Sequence, residues 1–171
     1  MNRGLLLTMT EPPAAMEEEF NAWYDDEHMA ERLAIKGFRS ARRWVADVAP
    51  GEGKYLATYE LDSPGVLQSA GYLARFQNQT PWSRRCLGKA VVFRRWACEQ
   101  TRPGDADPRP EARFLFCVIA ESPIALTVTG ALQIRHFVAG QSHIALAELS
   151  HRTLPPVSAD WETRLYRAYA P

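Results

Sequence analysis

The alternation of short apolar runs with helical stretches constrains this chain most. Gly4 to Thr10 reads as a buried strand, closed by Glu11-Pro12-Pro13. A helix is predicted from about Ala14 to Ala34. Glu17, Glu18 and Glu19 fall in its first turns, where the helix dipole favours negative charge. Lys36-Gly37 ends it, the glycine suiting a left-handed cap. Phe38 to Ala46 and Lys54 to Leu61 read as strands about a Pro50-Gly51-Glu52-Gly53 turn. Asp62-Ser63-Pro64 starts a second helix, which runs to about Phe76. Pro81 to Arg85 reads as one further helical turn, and Ala90 to Ala97 as a fourth strand.

Strand, helix, strand, strand, helix, strand is the ferredoxin-like order, an antiparallel sheet with both helices on one face. Past the proline-bearing stretch Glu99 to Ala112 come four more strand-like runs: Arg113 to Ala120, Leu132 to Ala139, His143 to Leu149 and Thr163 to Ala170. No long amphipathic helix separates them. The later runs echo the earlier ones in order. Thr10-Glu11-Pro12-Pro13 matches Ala120-Glu121-Ser122-Pro123. Arg42, Trp44, Val45 and Ala46 match Arg135, Phe137, Val138 and Ala139. Ala57, Glu60 and Leu61 match Ala145, Glu148 and Leu149. Arg94, Trp96 and Ala97 match Arg167, Tyr169 and Ala170. The offset between the copies shrinks where each helix lies. The expected fold is therefore α+β, a tandem of ferredoxin-like halves over 1–98 and 112–171 joined by a linker at 99–111. The second half keeps its strands and has lost most of its helices. Phe114, Phe137, Ile144 and Leu165 should then gather in one four-stranded layer. Glu121 to Thr129 is shorter than the dozen or so residues a parallel crossover usually needs, which points to a modified pairing order in that half.

Charge narrows the partners. Lys plus Arg is 20 and Asp plus Glu is 20 in 171 residues, without the basic surplus that nucleic acid or an anionic membrane would want. The Leu5–Leu7 run is too short for a signal-peptide core, and no stretch reaches the length of a membrane span, so a cytoplasmic protein is expected. Cys86, Cys98 and Cys117 form no CxxC pair and read as buried small residues. No metal site or cofactor is indicated: His136, His143 and His151 make no helical pair, and dinucleotide, Walker, HExxH and GxSxG motifs are missing.

Helix 1 holds the densest chemistry. At about 100° per residue, Met16, Phe20, Trp23, Ala30 and Ala34 form its apolar stripe, with Glu27 inside it. Tyr24, His28 and Glu31 adjoin at helical spacing beside that stripe. Two readings fit: an acid/base cluster in which Glu27 or Glu31 tunes His28, or an ion-pair network in which those carboxylates bind sheet arginines. A second pattern lies on the strands. Arg42 with Trp44, Arg94 with Trp96, Arg135 with Phe137 and Arg167 with Tyr169 are each two residues apart and share a face. Such a layer either lines a space between the sheets, stacked to hold a ligand, or sits at the rim with its heads in water.

Phe20-x-x-Trp23-Tyr24-x-x-x-His28, followed nine residues on by Gly37-Phe38, resembles helix 1 and strand 2 of the EthD-like proteins in the dimeric α/β-barrel superfamily. The resemblance spans Gly4 to about Ala97 and is densest from Phe20 to Trp44. It implies ferredoxin-like sheets paired into a barrel, a homodimer, and, among some relatives, action on polyketide-like or aromatic compounds through a helix 1 histidine. That role passes to His28 alone. Lys36 departs from the proline common before the glycine, and the reduced second half departs from a two-fold symmetric site. The expected partner is a small apolar or aromatic carbonyl compound, bound or turned over. His28 would be base or acid, Glu27 or Glu31 its orienter and Tyr24 a hydrogen-bond donor. Trp23 would shape the wall, and Arg42, Trp44, Arg94 and Trp96 would line a ligand space. Alternatives are a haem-linked monooxygenase-like protein and a non-catalytic dimerisation or binding module.

Overall fold

A computed structural model describes residues 2–171. Eight strands form one closed antiparallel barrel: β1 (Gly4–Glu11), β2 (Phe38–Val45), β3 (Tyr55–Leu61), β4 (Val92–Arg102), β5 (Phe114–Ala120), β6 (Gln133–Ala139), β7 (Ser142–Leu149) and β8 (Glu162–Ala168). Around the barrel they run β1-β3-β2-β8-β5-β7-β6-β4. The first four therefore lie in the order β4-β1-β3-β2, and the last four in the equivalent order β8-β5-β7-β6. The modified pairing expected of the second half does not occur. β7 lies between β5 and β6, and the connection from Glu121 onward crosses the sheet as extended chain, which covers more distance per residue than a helix. The barrel closes within one chain, so a second copy is not needed to complete it.

The two four-stranded sheets meet at short seams. β2 and β8 pair only at Trp44↔Ala168 and Val45↔Arg167, and β4 and β6 only near Glu99↔Val138, Gln100↔Phe137 and Arg102↔His136. β4 thus runs on through Arg102 into the stretch read as linker.

Alternation along the strands divides the apolar residues into separate cores. Leu5, Leu7 and Met9 point into the barrel with Trp44, Leu56, Cys98, Leu115, Phe137, Ile144 and Tyr166. Leu6, Tyr55, Ala57, Tyr59 and Leu61 point outward beneath the helices, where Phe20, Trp23 and Tyr24 cover them. On the outer face of the second sheet no helix lies. Ile124, Leu126 and Val128 of the irregular connection cover Phe116, Val118, Ala145 and Ala147 instead. The quartet expected in one layer shares one sheet but divides between its faces: Phe137 and Ile144 inside, Phe114 and Leu165 outside. All three cysteines are free and buried.

The helices cover only the first sheet. Ala14–Met16 is a 3-10 turn, followed by α1 (Glu17–Trp23), a π-turn (Tyr24–His28) and α2 (Met29–Leu33) in one continuous rod. The chain then turns through Gly37, whose φ of 98° meets the left-handed requirement read from the sequence. The second helix is not continuous. Pro64–Gln68 is a 3-10 segment, and α3 (Ala70–Gln77) starts afresh at Ser69, whose hydroxyl accepts from the Tyr72 amide at 3.2 Å. The single turn expected after Pro81 is a full helix, α4 (Pro81–Lys89), capped by Thr80. At Gly4, an added Cβ would lie 2.6 Å from the Ser63 carbonyl carbon, so the first strand can pass this connection only without a side chain.

One ionic cluster crosses the barrel interior. Arg135 Nη1 and Nη2 each donate to Glu60 at 2.9 Å, and Nε donates to Glu148 at 2.9 Å. Arg135 and Glu148 are 1% exposed and Glu60 4%. Burial holds the Glu148 carboxyl above its ordinary value even beside Arg135. Removing one member strands charge in the core. Arg135→Leu is therefore expected to lower stability by about 3–5 kcal/mol in urea unfolding. Arg42→Leu, at the matching position but held by linker carbonyls, should cost far less.

Candidate functional site

The π-turn decides which helix residues face the sheet. Residues four apart drift by about 40° per step in a regular α-helix. The wider turn at Tyr24–His28 takes up that drift. Phe20, Tyr24, His28 and Arg32 therefore stand in one buried column, whereas Ala30 and Ala34, placed on the stripe by a uniform period, are exposed. Such turns recur at functional sites.

Beneath this column lies a cavity of about 540 Å³, between the helical layer and the outer face of the first sheet. Tyr24, His28 and Arg32 line it from the helix, Leu6, Thr8, Tyr59, Phe93 and Arg95 from the sheet, and Tyr72 and Phe76 from α3. Thr8, His28, Arg32 and Tyr59 all line it, and on each a buried polar atom (Thr8 Oγ1, His28 Nδ1, Arg32 Nη1, Tyr59 Oη) has no hydrogen-bond partner among the described residues. Buried polar atoms are nearly always paired, so four residues carrying such atoms around one cavity set this region apart.

His28 is 6% exposed. Its ring lies 4.2 Å from that of Trp23 and edge-on to Tyr24 at 5.0 Å, centroid to centroid. Burial, then the nearby cations Arg32 and Arg43, hold its pKa well below the ordinary 6.5. The imidazole is thus neutral near neutral pH and able to accept a proton. Tyr59 is the opposite case. Burial, and after it the neighbouring Tyr24 hydroxyl, push its phenol well above 10, so it remains a donor.

The carboxylates assigned to His28 go elsewhere. Glu27 accepts from the Thr80 hydroxyl at 2.5 Å and from that of Ser83 at 3.3 Å, and Ser83 in turn accepts from Trp23 Nε1 at 3.1 Å. This chain ties the rod to α4. Glu31 pairs with Arg75 of α3 at 3.1 Å, not with a sheet arginine. Tyr24 is brought to His28. Trp23 backs its ring but is not among the residues lining the cavity. Arg43, not singled out from sequence, lies 4.2 Å from the Tyr24 ring centroid and 4.0 Å from that of Tyr169, and donates to Asn21 and Asp25.

The strand pairs occupy a different place. Arg42 over Trp44 (4.4 Å), Arg94 over Trp96 (4.7 Å) and Arg135 over Phe137 (5.3 Å) stack on the barrel side of the sheets. Arg94 is bound at both ends of its fork by Glu162, at 2.6 and 2.9 Å. Arg42 and Trp44 line a second cavity of about 400 Å³ at one barrel mouth, under Asp107 to Pro110. Tyr169 lies on the outer side, against Tyr55 and Arg43. These residues do not join the His28 cavity.

No family model and no curated protein matches the chain. Among solved structures it is similar to one described as an anthrone oxidase-like protein, at 10% identity and a TM-score of 0.59. The match covers 99% of this chain and 92% of that one. At that identity the likeness shows a shared α+β barrel fold over nearly the whole length. No helix among the described residues is long and apolar enough to cross a membrane.

The cations around His28, not the carboxylates, set its titration. By NMR of the imidazole, Glu31→Gln should leave it in place and Arg32→Gln should move it upward. Stability carries the same sign. The unfolded chain protonates His28 below about pH 6.5 while the folded chain resists. Folding free energy should therefore fall as pH drops below that value, and His28→Gln should flatten the slope.

Proposed function

We propose that the chain binds and acts on a flat aromatic carbonyl compound in the cavity beneath helix 1, with His28 as the base. The four unpartnered polar atoms in an otherwise largely aromatic and aliphatic wall carry this reading. A neutral imidazole takes a proton from a carbon acid conjugated to the carbonyl. The C–H electron pair moves onto the carbonyl oxygen as an enolate. The Thr8 hydroxyl, and that of Tyr59 by turning from the neighbouring Tyr24 hydroxyl, receive that oxygen, and the fixed charge of Arg32 favours it. The proton then leaves His28 to water or returns to the product. The name of the structural neighbour supports the substrate class, since an anthrone is a three-ring ketone whose methylene is acidified through the rings by its carbonyl. The same order of strands in both halves, and the matched Glu60 and Glu148, support descent of 1–98 and 112–171 from one duplicated ferredoxin-like unit of the EthD-like type.

Hydrogen–deuterium exchange at the anthrone methylene, followed by NMR without oxygen, tests the chemistry apart from any later oxidation. The protein should accelerate exchange. His28→Asn should lose roughly 100- to 10,000-fold, and Tyr59→Phe about 100-fold. Undiminished exchange in His28→Asn would overturn the assignment. Binding of anthrone without accelerated exchange would leave a binding protein in place of an enzyme.

A further inference from the structure

The charge on the cavity wall is one-sided. Arg32, Arg84 and Arg95 line it, and no aspartate or glutamate does. None of the three pairs with a carboxylate among the described residues, although seven other arginines do: Arg3, Arg39, Arg43, Arg75, Arg85, Arg94 and Arg135. Arg32 is 8% exposed and its Nη1 is unpartnered. A buried guanidinium without a counter-ion is costly, so an anion from outside the chain would relieve it.

Tyr72 gathers two of these cations. Arg32 and Arg95 lie 5.7 and 5.9 Å from its ring centroid. Arg95 Nη2 donates to the Tyr72 hydroxyl at 2.9 Å, which leaves that hydroxyl's own proton for an acceptor. Beside it stand Phe76 and Phe93, both 50% exposed at the cavity edge. Arg84 donates one nitrogen to the Gln79 carbonyl at 2.8 Å and keeps the others free. The wall therefore offers an apolar bed for rings beside a cationic corner.

The geometry points to a ligand that carries a carboxylate as well as its aromatic body. The carboxylate is received by Arg32, Arg95 and the Tyr72 hydroxyl, and the rings lie against Tyr72, Phe76 and Phe93. This rests on the reading of the same cavity as an aromatic-compound site, and it adds the acid group as the feature that selects among such compounds. Two arginines and a hydroxyl can take both carboxylate oxygens with charge-assisted bonds. A neutral compound of the same shape would leave Arg32 uncompensated.

Anthracene-2-carboxylate and 2-(hydroxymethyl)anthracene, compared by fluorescence titration, test it. The carboxylate should bind roughly 10- to 100-fold more tightly. Arg95→Gln, at an exposed position that should not disturb folding, should remove most of that difference while sparing the neutral probe. Arg152→Gln, exposed and outside this cavity, should change neither. Equal affinity for the two probes would overturn the acid preference and leave the aromatic site standing. Binding of neither would overturn the reading beneath it. Displacement of the carboxylate probe by an equal concentration of phosphate would show an unspecific anion site and overturn the inference as well.

Discussion

Arg135 between Glu60 and Glu148 is the constraint on which the barrel depends. Glu60 comes from β3 in the first sheet, and Arg135 and Glu148 from β6 and β7 in the second. Their bonds fix how the two sheets face each other in a molecule whose seams are only a few residues long. Buried ion pairs contribute little net stability against an apolar alternative. What they contribute is intolerance of misregistration, since a one-residue slip turns a charged side chain onto the other face. Glu148 also accepts from the Arg109 amide at 2.7 Å, so the same cluster anchors the linker over the barrel mouth.

With the interior committed in that way, the barrel lumen is mostly occupied. Its stacked arginines are held by carboxylates or linker carbonyls. The unpartnered polar atoms of Thr8, His28, Arg32 and Tyr59 lie instead on the outer side of the first sheet, where helices stand off from it. The same strands serve both regions by alternation. Leu7 and Met9 fill the lumen, and Leu6 and Thr8 look toward the helices. On the second sheet Ile124, Leu126 and Val128 of the extended connection pack against Phe116, Val118, Ala145 and Ala147. The absence of covering helices on the second sheet and the cavity beneath those of the first are thus two sides of one asymmetry.

Much of this was legible in the sequence, and the reasons differ by element. Strands β1 to β8 emerged because runs such as Leu5–Thr10 and Arg113–Ala120 are dense in apolar residues and bounded by Pro, Gly or charge. His28 and Tyr24 emerged from helical spacing and from a family resemblance. Arg32 did not, because a uniform 100° step puts it off the face that a π-turn brings it onto. A helix wheel sets Glu27 and Glu31 beside His28 because it shows neighbours on its own rod but not the hydroxyls of Thr80 and Ser83 or the guanidinium of Arg75, which hold them in the structure. Tyr59, Thr8 and Arg95 were hidden for another reason. On β1 and β3, buried from both sides, composition alone does not say which residues line an empty space, and on β4 an exposed arginine such as Arg95 looks like any other surface charge.

The π-turn has a consequence for how this chain tolerates change. Its effect is a matter of counting and not of any one side chain's identity. Loss of a single residue between Trp23 and Met29 would let the rod relax into regular winding, with its hydrogen bonds intact and its length scarcely altered. His28 and Arg32 would then stand seven and eleven steps from Phe20, within about 20° of it, and would keep facing Tyr59 and Thr8. Regular winding at the present length would instead turn the two by about 80° and 120°, so the wide turn offsets one surplus residue, and the register of the rod and that turn stand or fall together.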